Sequence, residues 1–313
     1  MREHVLVTGG AGYVGSILCE HLLARGHRVT VIDNLQHGLQ DTLFSLCHHP
    51  SFDFVLGDAR DESLVREHLG RANAIIPLAA VVGAKACDRD PWTARSVNLG
   101  AVQMLNRLRS KDQLVVFPNT NSGYGTKSGE ITCTEESPLE PISLYGQTKV
   151  DAENELLSTE SATCLRLATV FGVSPRMRTD LLVNHFVLAA VRDRYLVIFE
   201  KDFKRNYVHV RDVADCFVHC LERDEDMTGR TYNLGLDDAN LSKEQLALAV
   251  KAQVPDLHLH FAEIGEDPDK RNYIVSNRRL AEAGFVARRD IPAGITELLK
   301  GYRMIHRPSF ANA

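Results

Sequence analysis

The chain has 313 residues, 44% of them hydrophobic and 25% charged, with a formal net charge of −5. This is the balance of an ordinary globular protein, long enough to bury a substantial core as one α/β unit or two intimate lobes. No basic stripe supports a nucleic-acid partner, and no run approaches the ~20 apolar residues of a membrane span, so neither nucleic acid nor membrane is expected. Cys19, Cys47, Cys87, Cys133, Cys164, Cys216 and Cys220 are scattered without Cys-x-x-Cys spacing. They read as reduced thiols of a cytoplasmic protein, with no metal site, and Met1 to His4 run into a strand with no secretory leader.

The first half alternates short apolar runs with amphipathic stretches. Strands are predicted at His4–Thr8, Arg28–Asp33, Phe52–Leu56, Ala74–Leu78, Leu114–Pro118 and Thr163–Leu167. Helices are predicted at Gly12–Arg25, Glu62–Leu69, Pro91–Leu108 and Leu144–Leu157. This order demands parallel pairing, hence an α/β fold with a doubly wound Rossmann-type sheet. Beyond residue 170 the alternation loosens: helix at Leu181–Arg192, strands at Leu196–Phe199 and Asn206–Val210, helix at Val213–Leu221. Ser242 and Gln245 form a capping box for a helix over Lys243–Ala252. The expected organisation is a cofactor-binding domain over 1–170, with 206–225 returning to it, and a smaller mixed substrate lobe over 171–313. The cleft between them is the expected site.

Thr8 to Gly15 contains both Gly9-x-x-Gly12-x-x-Gly15 and Gly10-x-Gly12-x-x-Gly15 between a strand and a helix. Such glycines let backbone approach a pyrophosphate, which the helix N-terminus at Tyr13, Val14 and Gly15 favours through its free N–H groups and dipole. Asp33 ends the next strand and is placed to accept the adenosine ribose hydroxyls. The residue after it is Asn34, not an arginine, so NAD is expected over NADP. Asp58, with Ala59 beside it, either receives the adenine amino group or caps the helix beginning near Glu62.

Tyr145 and Lys149 are four residues apart and share a helix face. A neighbouring ammonium favours phenolate, which takes a proton from an alcohol as hydride leaves its carbon. Thr120, in the polar segment Asn119–Gly125, lies at the carboxyl edge of the sheet, where its hydroxyl can hold the reacting oxygen. The plain alternatives are a surface helix pair, or a cofactor-binding scaffold or sensor without turnover.

Together these motifs resemble the extended short-chain dehydrogenase/reductase family, specifically its NAD-dependent nucleotide-sugar epimerases, dehydratases and dehydrogenases. The resemblance makes Thr120, Tyr145 and Lys149 the catalytic triad and brings Leu78, Ala79 and Ala80 to the cofactor. It assigns Asn98, before Leu99-Gly100-Ala101, the support of Lys149 through water. In Arg205–Asp212 it gives Arg205 a sugar-nucleotide contact, and in Pro268–Arg271 it makes Arg271 the second diphosphate cation. It implies a homodimer through 91–108 and 144–157, although ordinary intramolecular burial explains those helices equally. Thr169 replaces the family's usual Asn, and Asn206 stands where Asp is common.

Asn121 and Ser122, expected at the substrate, replace the acidic pair that 4,6-dehydratases use to move protons, and Ser122 also replaces the Cys usual in 3,5-epimerising enzymes. What is left is oxidation, reduction or inversion at C4. Asn119–Gly125 and Gly265–Arg271 resemble GDP-heptose 4-dehydrogenases of bacterial capsule pathways, with a nucleotide-sugar 4-epimerase as the alternative outcome.

Overall fold

The structure, a computed structural model, describes residues 3–37, 40–127, 131–263 and 271–304. The chain begins β1 (His4–Thr8), α1 (Tyr13–Ala24), β2 (Arg28–Asp33), a 3-10 turn (Gln40–Leu46), β3 (Phe52–Leu56), α2 (Glu62–Leu69) and β4 (Ala74–Pro77). Then come α3 (Ala84–Arg89), α4 (Pro91–Arg95), a π turn (Ser96–Gly100), α5 (Ala101–Leu108), β5 (Leu114–Thr120), a 3-10 turn (Asn121–Tyr124), β6 (Thr132–Cys133) and α6 (Leu144–Leu157). β7 (Ala162–Leu167), β8 (Thr169–Phe171), α7 (Leu182–Arg192), β9 (Tyr195–Ile198), β10 (Lys204–His209), α8 (Val210–Glu222), α9 (Asp224–Met227) and β11 (Thr231–Leu234) follow. The last elements are β12 (Asn240–Ser242), α10 (Lys243–Gln253), β13 (His258–Phe261), β14 (Ile274–Val275), α11 (Arg278–Glu282) and α12 (Ile291–Met304).

Seven strands form one parallel sheet in the order β11-β7-β5-β4-β1-β2-β3. Its strands are apolar on both faces because both are covered. Val5 and Val7 of β1 join a core with Ile17 and Leu18 of α1 and Val213 and Phe217 of α8. Leu6, between them, joins the opposite core with Val65 of α2, Leu105 of α5 and Leu156 of α6. Outside the main sheet the chain builds small sheets of order β12-β10-β8, β13-β9 and β14-β6. It returns to the main layer twice: α8 packs on α1, and β11 adds an edge strand. The sequence reading assigned no strand there.

Strand order reverses between β1 and β4, the position at which an open α/β sheet leaves a crevice beyond its carboxyl ends. Two local predictions change. The helix expected at Pro91–Leu108 is interrupted by the π turn, because Asn98 turns inward and bonds both the N–H (2.8 Å) and the C=O (3.0 Å) of Val81. β5 runs on through Asn119 and Thr120, so the expected polar loop starts later. The Ser242–Gln245 capping box is present, with 3.1 and 2.8 Å bonds. All seven cysteines are unbridged, and no helix among the described residues is long and apolar enough to cross a membrane.

Candidate active site

A cavity of about 790 Å³ opens at the switch point. Its floor is the glycine turn. Gly9 has φ of +76°, and a Cβ there would lie 2.6 Å from the Ala79 backbone nitrogen, so the turn can press against the end of β4 only as glycine. A Cβ on Gly15 would meet the Gly9 oxygen at 2.6 Å. The turn thus brings the first turn of α1, with Gly12 as N-cap, to the cavity wall.

α1 has no capping side chain and no acidic residue in its first turn, whereas α2, α6, α8 and α10 are capped by Asp61, Ser143, His209 and Ser242. Backbone donors at an uncapped helix N-terminus, opening into a cavity, match the chemistry of a pyrophosphate. Asp33 borders the same space, its Oδ2 accepting the Ala11 N–H at 2.9 Å and its Oδ1 the Leu35 N–H at 2.8 Å. Each oxygen retains a lone pair for a vicinal diol. These residues fit a dinucleotide such as NAD. Asp33→Ala should weaken dinucleotide binding by roughly ten- to a hundredfold, the worth of hydrogen bonds to a charged group. Fluorescence titration with NADH measures this, and an unchanged affinity would remove Asp33 from the site.

The other expected cofactor residues divide. Tyr13, Val14, Asn34, Asp58, Ala59, Leu78, Ala79 and Ala80 line the cavity. The Tyr13 phenol is committed elsewhere: it donates to the Gly172 carbonyl at 2.7 Å and accepts from Asn184 Nδ2 at 3.1 Å. Ser174 Oγ adds bonds to the Tyr13 carbonyl (2.7 Å) and Ser16 Oγ (2.9 Å). Asp58 does not cap α2; Asp61 does, accepting from the N–H groups of Ser63 and Leu64. Instead Arg60 grips Asp58 through Nε (2.9 Å) and Nη2 (2.7 Å) and holds its carboxyl down at about 2. Asn98 lies behind the wall, bonded to Val81 and, at 3.2 Å, to Thr148 Oγ1.

Thr120, Tyr145 and Lys149 all border the cavity, near its apolar and cationic residues. Ser143 caps α6 by accepting the Gly146 N–H at 3.2 Å, which fixes where Tyr145 enters the first turn. The electrostatics differ from the expectation of a phenol made acidic by its helical neighbour. Burial pushes Tyr145 up to about 12, and the cations that oppose this are Arg178 and Arg271. The same exclusion of water pushes Lys149 down to about 7. Desolvation dominates at Lys149, which is 4% exposed with its Nζ 3.9 Å from the Phe117 ring centroid.

Of the expected substrate residues, Thr169, Arg205 and Arg271 line the cavity. Asn121 and Ser122 are buried and not among its lining. Ser122 acts at one remove: Thr120 Oγ1 donates to its hydroxyl at 2.9 Å, and Arg271 Nη1 bonds the same oxygen. Asn206 turns inward against Gly235 and donates to the Leu236 carbonyl at 2.7 Å. Within Gly265–Arg271, all but Arg271 lie outside the described residues.

Sequence reading missed Arg176 and Arg178, which reach the cavity from the segment after β8. Arg178 is anchored by Asp180 at 2.7 and 2.6 Å. The signal was Pro175-Arg176-Met177-Arg178, two arginines in a Pro-led segment shortly after Thr169.

The sequence profile of the NAD dependent epimerase/dehydratase family matches residues 5–235. A UDP-glucose 4-epimerase of Mycolicibacterium smegmatis is 30% identical over 314 residues, covering 95% of this chain and 98% of the relative. A UDP-glucose 4-epimerase of Corynebacterium glutamicum is 28% identical over 263 residues, 77% of each chain. Among solved structures, the UDP-glucose 4-epimerase of Thermus thermophilus in complex with NAD superposes with a TM-score of 0.82 at 25% identity, covering 97% of this chain and 99% of that one. The UDP-glucose 4-epimerase of Thermotoga maritima with UDP-glucose gives a TM-score of 0.84 at 24% identity, covering 96% and 99%. With the glycine cradle, the parallel sheet and an end-to-end relative in agreement, the chain belongs to the NAD dependent epimerase/dehydratase family.

Proposed function

We propose that this protein oxidises the C4 hydroxyl of a nucleotide-diphosphate sugar, with Thr120, Tyr145 and Lys149 as its catalytic residues. The observation that carries the reading is that all three line one cavity together with the glycine cradle, Arg205 and Arg271. NAD bound in the cradle supplies the hydride acceptor. Tyr145 takes the hydroxyl proton in oxidation and returns it in reduction; the guanidinium groups of Arg178 and Arg271 favour the phenolate that this requires, and Lys149, one helical turn away, adds its charge when protonated. Thr120 holds the reacting oxygen by a hydrogen bond. Arg205 and Arg271 take the diphosphate as charge-assisted donors.

Two outcomes share these groups. Release of the keto sugar makes a 4-dehydrogenase, and the sequence of Asn119–Gly125 supports a GDP-heptose as its substrate, in surface-polysaccharide synthesis. Rotation of the keto sugar and return of hydride to its other face makes a 4-epimerase, which the UDP-sugar 4-epimerase names of the relatives favour. Incubation with GDP-heptose and with UDP-glucose, followed by NMR of the products, separates them. A 4-keto product from GDP-heptose supports the first outcome and a C4 epimer the second; no change at C4 of any nucleotide sugar overturns both. A homodimer through α5 and α6 belongs to the same reading, and sedimentation at the mass of a single chain would remove it.

A further inference from the structure

Tyr145, Lys149 and Glu153 follow one another at four-residue intervals on α6, so the face presenting the phenol and the amine carries a carboxylate one turn deeper. Glu153 is 1% exposed and ion-paired with Arg166 of β7, whose Nη2 lies 2.6 Å from Oε1 and whose Nε lies 3.2 and 3.3 Å from the two oxygens. Its Oε2 also accepts a hydrogen bond from Asn119 Nδ2. Asn119 in turn accepts the backbone N–H of Thr120 through Oδ1 at 2.7 Å. One buried carboxylate therefore stands on the helix of Lys149 and is bonded to the strand end of Thr120. An apolar pair of similar volume commonly packs such a space as well as an ion pair does, so stability alone is a weak reason for a charge here.

Resting on the reading of Lys149 and Thr120 as catalytic, we propose that Glu153 is a positioning residue for the reaction: its carboxylate keeps Lys149 an ammonium and, through Asn119, fixes the backbone from which Thr120 faces the cavity. Exclusion of water favours the neutral amine of Lys149, and the face of the Phe117 ring, 3.9 Å from Nζ, favours the ammonium. Two further groups oppose that loss of charge, Cys164 of β7 and Glu153. The Cys164 thiol is pushed well above its ordinary range by burial and stays protonated, which leaves Glu153 as the anion. Arg166 is the cation paired with that carboxylate, and the pairing offsets part of the field it exerts. On the amine's own helix Tyr145 stands one turn away and is neutral, burial pushing its phenol up to about 12. The neighbouring α3 carries Cys87, which acts on that phenol and not on the amine. Among the described residues, α4, the π turn and α5 place no further charge among the groups acting on Lys149.

The test reads the amine directly. Full-length protein carrying carbon-13-labelled lysine gives the titration midpoint of Lys149 by NMR without substrate, its resonance assigned by disappearance in Lys149→Met. Glu153→Gln should lower the midpoint by about one unit, and Arg166→Gln should raise it. Glu153→Asp should keep it near the wild-type value. A purely structural Glu153 would leave the midpoint unmoved in the folded variants, or move it the same way in both; either result overturns the proposal. If Glu153→Gln does not fold, as judged by circular dichroism, Arg166→Gln decides alone, and a midpoint that fails to rise overturns it. Where turnover is measured, the alkaline limb of the pH–kcat profile should move down in Glu153→Gln and return in Glu153→Asp. Because the titration needs no turnover, a protein inactive on every nucleotide sugar would sink the proposed function and leave this result readable.

Discussion

Tyr145→Phe should lower kcat for C4 oxidation by roughly 10²- to 10⁴-fold, the usual contribution of a positioned acid–base group, while dinucleotide affinity stays within about threefold. The substitution removes one oxygen and leaves the ring that packs at the start of α6. Neither of the other two proposed catalytic groups replaces the phenol: Thr120 is a weak acid at any accessible pH, and the amine of Lys149 lies one turn deeper. Burial pushes Tyr145 up to about 12, so its anionic fraction rises with pH throughout the working range. The wild-type single-turnover rate should accordingly climb with pH on its acid side, and the residual rate of the variant should not. Nicotinamide absorbance after rapid mixing with substrate measures the rate, and NADH fluorescence measures affinity. A variant within a few-fold of wild type would show that the proton leaves by another route.

Gly9→Ala should cost about 3–5 kcal/mol of stability and weaken dinucleotide binding by at least about a hundredfold. Two penalties combine. With φ of +76° the residue is in the left-handed region, worth roughly 1–2 kcal/mol against any side chain. The new Cβ would also lie 2.6 Å from the Ala79 nitrogen, 2.8 Å from its Cα and 2.9 Å from the Leu78 carbonyl carbon. These are backbone atoms at the end of a central strand, so the turn itself must move, and the N-terminus of α1 moves with it. Gly229→Ala isolates the first penalty: φ is +77° there, and the nearest atom to the new carbon, the Glu160 oxygen, lies at an ordinary contact distance of 3.4 Å. It should lose only about 1–2 kcal/mol. Thermal or urea unfolding compares the two, and equal losses would mean that the contact with β4 is immaterial.

Elements governed by local rules were readable. The bounds of β1, β2, β3, α2 and α6 match the sequence expectation, because a two-sided apolar run or a side-chain cap such as Asp61 or Ser143 fixes each. What went unread depends on distant partners. The break before α5 exists because Asn98 bonds Val81, an attraction across the chain that helical periodicity does not record. β11 is four residues long and is a strand only because β7 lies beside it. At the site, the glycine turn and the Tyr145–Lys149 pair could be read only in combination, each spacing being weak by itself, and both line the cavity. The balance between pairing and burial was not legible, since the cost of losing water depends on how tightly Phe117 and its neighbours close around Lys149. Asn121 and Ser122 were placed at the substrate by position in a motif, but the 3-10 turn rotates both inward. Arg178 was passed over because only the tertiary fold aims its loop at Tyr145.

The bonds that tie Tyr13 and Ser16 to Gly172, Ser174 and Asn184 bear on how a cleft of this kind can breathe. They stitch the first turn of α1 to the segment after β8 and to α7 with polar groups that water does not reach. Opening this seam would strand those donors and acceptors together, at about 1–3 kcal/mol for each. The cavity wall that carries the uncapped helix N-terminus is therefore anchored from behind.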